Sequence, residues 1–266
     1  MDAVETVRAC YDSSVETEWN RLTRHYVEFE INKRFMDRYI HACDRVLDIG
    51  GGPGRYAMHL AQKGCGVTLM DLSPGNVDFA KAKAAELGLP LDAFPGDARF
   101  ADKLIAGPFD AVLLMGPLYH LPEEKDRVMA VKAALNLLKP GGILYVAFIS
   151  SYAPVWDYLA RYPHMVTEES EQRFYALMEK DMGFSGYSFT QTHFIRPVDI
   201  RPFMAGFPLD TLHLLGSESI LALREPELGA QPPEVVKAWI DFAEKVCERE
   251  EFLNMTEHFL YIGKKL

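Results

Sequence analysis

One stretch of the chain, Val46-Leu-Asp-Ile-Gly-Gly-Gly-Pro-Gly-Arg-Tyr56, constrains the fold more than any other. Residues 46–49 are apolar apart from Asp48 and read as a buried strand, the residues from Arg55 onward read as a helix, and glycines crowd the link between them. Glycine accepts the left-handed backbone that a tight strand-to-helix turn demands. It also lets a ligand approach the main chain, where the first N–H groups of the helix lack partners within the helix. A nucleotide-like ligand is therefore expected at this loop. The dinucleotide pattern GxGxxG would need glycine at position 55, which is arginine, and no GxxxxGK[ST] phosphate loop occurs anywhere.

The flanking pattern repeats the alternation of strand and helix. Short apolar runs over 46–49, 67–70, 91–94, 109–115 and 143–149 read as strands, with helices over 55–63, 74–87 and 123–138. Ser73 and Pro74 supply an N-cap and a first-turn proline, Gly88 ends that helix, and Lys139-Pro-Gly-Gly turns into the next strand. Unbroken apolar strands alternating with helices predict an α/β fold, a doubly wound, mostly parallel sheet covered on both faces. Ahead of it, Val4, Val7, Tyr11, Val15, Trp19, Leu22, Tyr26 and Phe29 step by three or four, as amphipathic helices do. A break is expected near 12–14, where Ser13 and Glu16 resemble a capping box. Behind it, the aromatic-rich residues 151–190 read as a helical insertion with a loop holding Gly183 and Gly186, and a short helix spans 199–207. Strands are expected at 211–215, 220–223 and 259–263, with one helix over 232–252. The expected division is an N-terminal helical lid (1–44), a ligand-binding core (45–150), a helical cap over the acceptor site (151–208) and a segment completing the sheet (209–266).

At 266 residues, 48% of them apolar, the chain can bury one large core, which excludes low-complexity disorder. No apolar run approaches the roughly 18 residues of a membrane span. A net charge of -10 repels phosphate backbones and argues against a nucleic-acid partner. That charge is uneven: acids and bases balance over 45–154, and the flanks hold the whole excess. Cys10, Cys43, Cys65 and Cys247 form no CxxC pair and lie at no metal-ligand spacing, and the N-terminus lacks a basic start before an apolar run. A reducing cytoplasm, with no metal site and no disulfide framework, is the expectation.

Two acids sharpen the ligand. Asp71 closes the second strand 21 residues after Gly50, where its carboxylate can accept from both hydroxyls of a ribose. Asp97, in Gly96-Asp97-Ala98 after the third strand, can accept from an adenine amino group. With no phosphate clamp, an adenosine ligand without phosphates is favoured. The segments VLDIGGGPGRY, VTLMDLS, GDA, FDAVLLMGPLYHL and LLKPGGILYVAF, in this order, resemble the class I S-adenosylmethionine-dependent methyltransferases. The likeness is to the small-molecule group that includes the ubiquinone and menaquinone C-methyltransferases, and its motifs lie within 45–150. It implies a Rossmann-like, seven-stranded sheet with an antiparallel last strand, S-adenosyl-L-methionine as cofactor and a small-molecule methyl acceptor. By position it implies that Gly50, Gly51 and Gly52 wrap the methionine part, and that Asp71 takes the ribose hydroxyls with Leu72 beside the adenine. Asp97 and Ala98 would flank the adenine, with Met115 beside the cofactor. Asp48 matches the motif's acid and either contacts the cofactor or holds the loop's N–H groups.

Methyl transfer asks for alignment, exclusion of water and removal of a proton from the acceptor. Tyr119 and His120, in Met115-Gly-Pro-Leu-Tyr-His120, are the nearest polar groups beyond the fourth strand. Either one of them orients or deprotonates the acceptor, or His120 pins the loop. His193 and the lead-in side chains Tyr11, Trp19, His25 and Tyr26 read as core or surface unless a helical lid brings one of them over the cofactor. The aromatics over 152–187 form either an apolar acceptor pocket or the packing of a cap. Gly116-Pro-Leu-Tyr119 lacks the Asn/Asp/Ser-Pro-Pro-Tyr/Phe motif of the nucleic-acid amino-methyltransferases, so a flipped-base pocket is not expected. Two other readings remain: a non-catalytic S-adenosylmethionine-binding or regulatory protein, and an NAD-dependent oxidoreductase, which Arg55 opposes. The acidic flanks favour a neutral or cationic acceptor over a polyanion.

Overall fold

A computed structural model describes residues 3–266, so the first two residues of the expected 1–44 lead-in lie outside it. Three helices, α1 (Ala3–Asp12), α2 (Val15–Arg24) and α3 (Tyr26–Asp37), precede the first strand. The chain then runs through β1 (Arg45–Ile49), α4 (Arg55–Gln62), β2 (Gly66–Asp71), α5 (Pro74–Glu86), β3 (Asp92–Pro95), β4 (Phe109–Leu114) and β5 (Leu138–Ser150). Ser73 caps α5 by accepting from the Asn76 N–H. The break between α1 and α2 falls where expected, but Ser14 is the N-cap and makes no side-chain cap bond. Ser13 and Ser14 donate instead to the Cys10 carbonyl, turning back onto the helix behind them.

β3, β2, β1, β4 and β5 pair in parallel in that order. Side chains alternate between two cores, as a strand's two-residue period requires: Val46, Ala111 and Leu113 face α3, α4 and α5, whereas Leu47, Val112 and Leu114 face the helix Glu124–Leu137. β8 (Leu209–Gly216) and β9 (His258–Lys265) complete the sheet, β9 running antiparallel between β5 and β8. These seven strands are the expected ones, with the last in sequence antiparallel. The sheet nevertheless has nine. The extra pair, β6 (Phe184–Tyr187) and β7 (Gln191–Ile195), is an antiparallel hairpin in the segment expected to be helix and loop. β5 outruns β4, so Ile149 pairs with His258 on one side and Phe194 on the other, and the hairpin occupies the edge that β4 leaves vacant. Phe184 and Phe194 stack at 5.7 Å, and Phe174 from the preceding helix Gln172–Lys180 packs edge-on against Phe184. Aromatic residues favour strands when they can pack across a pair in this way.

Three boundaries differ from the sequence expectation. The run 220–223 belongs to a 3₁₀ helix, Ser219–Arg224, entered through a left-handed Ser219. A short apolar run does not distinguish buried strand from buried helix. The helix expected over 232–252 stops at Val246 and resumes as Glu250–Leu253, because the Cys247 carbonyl accepts from Gly216 at the end of β8. Lys139-Pro-Gly-Gly lies inside β5 as an irregularity in its pairing with β4.

Candidate functional site

The carboxyl ends of β1, β2, β3 and β4 open into one cleft, roofed by α1 and α2. Every residue singled out above for the cofactor lines it: Asp48, Gly50, Gly51, Gly52, Asp71, Leu72, Asp97, Ala98 and Met115. Tyr119 and His120 line it too. Gly50 sits at φ +72, and a Cβ there would lie 2.5 Å from the Pro117 ring; at Gly51 it would lie 2.6 Å from Asp48 Oδ2. No larger residue fits either position without the loop moving.

Asp48 is buried and its Oδ2 has no hydrogen-bond partner. Burial, reinforced by Asp71, pushes its carboxyl up to about 7. It does not hold the loop's N–H groups: those of Gly50 and Gly51 go to the Met70 carbonyl, and that of Gly52 to Asp71 Oδ2 at 2.8 Å. Asp71 Oδ1 accepts from the Ser73 N–H and from Asn76 Nδ2. The Asp97 carboxylate is already engaged by Arg99, with Oδ2 2.6 Å from Nη2. An adenine beside it would meet a paired carboxylate.

His120 is the centre of a hydrogen-bonded row. Its Nδ1 lies 3.1 Å from the Gln191 carbonyl of β7 and its Nε2 lies 2.6 Å from the Tyr11 hydroxyl of α1. A carbonyl only accepts, so Nδ1 carries the proton and Nε2 receives the Tyr11 O–H. Burial lowers the imidazole to about 4, overriding the Gln191 bond, so it is neutral at pH 7. Burial raises both phenols, Tyr11 and Tyr119, well above their ordinary range. Tyr119 donates to the Met115 carbonyl at 3.1 Å, which keeps it in the wall. His193 borders neither this cleft nor the space beyond it; it bonds Ser185 across the hairpin at 2.8 Å.

Sequence reasoning missed Glu18 and Arg21, which lie on α2 and line the cleft. Helical spacing put both on a polar face and gave no sign that the face looks inward. Arg21 bonds Glu18 through Nε at 2.9 Å and Glu28 through Nη1 at 2.7 Å. Behind Glu28 stand His258, 3.8 Å away, and Glu218, 2.6 Å from His258. Burial alone would lower His258, but Glu28 and Glu218 raise it to about 9. Glu28, Glu218 and His258 bring donor atoms within 4.8 Å of one another, and through Glu28 the group holds Arg21. α1 is pinned elsewhere too: Asp12 accepts from Ser73 Oγ and the Gly75 N–H. Arg55, standing where the dinucleotide motif has glycine, stacks on Trp19 of α2 at 4.5 Å and donates to Thr23.

Residues 46–142 match the family model described as a methyltransferase domain. Over that segment, just over a third of its length, the chain is similar to methyltransferase domains. It is 30% identical over 171 residues to a ubiquinone biosynthesis O-methyltransferase of Caulobacter vibrioides, an alignment covering 62% of this chain and 58% of that protein. The chain thus spans less than two thirds of that relative's length. Magnesium protoporphyrin IX methyltransferase of Synechocystis, solved with bound S-adenosylhomocysteine, has the same fold, with a TM-score of 0.60 at 15% identity over the full length of both chains. A [4+2]-cyclase shares the fold as well, with a TM-score of 0.55 at 20% identity, covering 87% of this chain and 80% of the cyclase. The methyltransferase fold therefore hosts more than one reaction, and the reaction has to be argued from the site.

Proposed function

We propose that this chain methylates a small molecule from S-adenosylmethionine, with cofactor in the glycine cleft and acceptor beyond Tyr11 and Tyr119. The observation that carries this reading is the junction of two spaces. Tyr11, Glu18, Arg21 and Tyr119 border both the cleft and a second chamber under the helix Ala153–Arg161, so a ligand in one meets a ligand in the other at these side chains. The cleft fits the cofactor: Asp48 Oδ2 is a buried acceptor with no partner, and Gly50 and Gly51 let the loop pack directly on Pro117 and Asp48 of its wall, where a Cβ would collide. Gly50, Gly51 and Gly52 would take the methionine part, Asp71 and Leu72 the ribose and adenine, Asp97 and Ala98 the adenine edge, and Met115 the region of the sulfur. When bound, S-adenosylmethionine supplies an electrophilic methyl group.

The chain's own work is positioning and proton removal. α1 and α2 cover the junction and exclude water, which strengthens polar interactions there. The acceptor's proton passes to the Tyr11 oxygen as the Tyr11 proton passes to His120 Nε2, leaving an imidazolium braced by the Gln191 carbonyl. A weak base suffices, because alkylation makes that proton far more acidic. Among the described residues no helix is long and apolar enough to cross a membrane. The four cysteines are free, in keeping with our assignment to a reducing cytoplasm.

Calorimetry with S-adenosylhomocysteine and transfer of isotopically labelled methyl into a metabolite extract test the reading. Micromolar cofactor binding and a labelled small-molecule product are expected; absence of heat with either form of the cofactor would overturn it.

A further inference from the structure

The chamber beyond the junction is lined by charges of both signs, among them Arg173, which lies over the Phe174 ring at 4.5 Å. Arg21 is met by Glu18 and Glu28, His25 by Glu225 at 3.2 Å, and His258 by Glu218. Asp157 pairs with Arg161 at 2.6 Å, and Glu171 accepts from the Tyr158 hydroxyl. Glu257 is held more loosely: only 7% exposed, it lines the chamber, its side chain makes no hydrogen bond, and its ion pair with Arg161 is long at 4.0 Å. Its own N–H and carbonyl are committed to Glu218 and Ser150, which fixes the backbone that presents the carboxyl. Burial and the neighbouring Glu218 push that carboxyl up to about 7, outweighing the opposing pull of His258, His25 and Arg161. Tyr158, Phe174, Phe189 and Phe194 also line the chamber, and Arg173 already covers a face of Phe174, which leaves the other three rings to an incoming group.

We infer that Glu257 is the counter-ion for an ammonium group on the acceptor, so that this chamber selects amines carried on an apolar or aromatic body. The inference rests on the proposed function and adds the chemical class of its acceptor. Glu257 borders the chamber and not the cofactor cleft, so the ammonium it receives lies away from the cofactor end, and the methylated atom is a second group reaching the junction at Tyr11. Aromatic faces favour the same cation, being negative above the ring. A buried carboxylate would at the same time repel an acidic acceptor.

Three probes that differ only in their head test this: tyramine, 4-ethylphenol and 4-hydroxyphenylacetate, each titrated by calorimetry into full-length protein saturated with S-adenosylhomocysteine. Tyramine is expected to bind at least about tenfold more tightly than the other two, a modest share of what a desolvated charge pair can contribute. Glu257→Gln should abolish that preference with S-adenosylhomocysteine affinity unchanged, and Glu257→Asp, which keeps the charge, should retain part of it. Equal or weaker binding of tyramine, or a preference that survives Glu257→Gln, overturns the inference and leaves the methyltransferase reading standing. Failure of S-adenosylhomocysteine itself to bind removes both.

Discussion

The glycine cleft and the chamber beside it are shaped by different forces. In the cleft, backbone does most of the shaping: positive φ at Gly50, Gly52 and Gly54, N–H groups returned to the Met70 carbonyl and Asp71, and close packing of Gly50 and Gly51 on Pro117 and Asp48 that leaves no room for a Cβ. In the chamber, side chains from distant parts of the chain do it, through ion pairs such as His25 with Glu225 and His258 with Glu28. A backbone-built site tolerates almost no change of residue but needs few residues. A charge-built site depends on every partner being present, since removing one leaves a buried charge uncompensated.

The contrast can be broken at five points. His120→Ala should lower kcat by about 10² to 10⁴, the usual worth of a general base, while S-adenosylhomocysteine affinity holds in calorimetry. Tyr11→Phe should follow it in direction. Because His120 titrates near 4, the wild-type rate should stay level down to about pH 5 and fall only below that, as protonation removes the Nε2 lone pair; a fall centred near 6.5 would count against the relay. Gly50→Ala should weaken S-adenosylhomocysteine by at least about 100-fold, because left-handed backbone and the Pro117 ring both oppose the new methyl. Glu218→Ala should cost about 3 to 5 kcal/mol in denaturant unfolding without touching the cleft directly. Asp97→Asn should change cofactor affinity by only a few fold, roughly 1 kcal/mol, since its carboxylate already belongs to Arg99.

The chamber's network also sets a pH window. His258 is raised to about 9, so its contribution to stability is complete below its unfolded value near 6.5 and is lost as pH climbs through about 9. Glu218 is held down to about 2, chiefly by His258 against the pull of burial, so its contribution is complete above roughly 4.5 and is lost as pH falls through about 2. Melting temperature should therefore decline between pH 6.5 and 9 in the wild type and lose that part of its decline in His258→Gln.

The same contrast explains how much could be read in advance. The five parallel strands and the glycine and Asp71 positions follow from local signals: glycines that only a tight turn requires, an Asp closing the second strand, an apolar run between helices; the antiparallel last strand, like Leu72, Ala98 and Met115, is implied only by the family resemblance. Those residues do share one cleft. The β6–β7 hairpin escaped because its stability comes from Phe194 meeting Ile149 and Phe184, contacts that no window of sequence contains. Tyr11 was named only as a conditional member of a lid. Its partner stands 109 residues further on, and helical spacing alone gives a tyrosine no direction. Arg21, Glu257 and His258 were missed for the same reason: each acquires meaning from a charge brought in by another segment. The capping box at Ser13 failed because serine can satisfy itself on the preceding turn as readily as on the following one.

α1 deserves a last consideration in terms of traffic. Tyr11 stands at once over the glycine cleft and at the mouth of the chamber, and Asp12 beside it is fastened to the start of α5. One side chain of α1 thus serves as a wall to both compartments, and a displacement of that helix would open the two together.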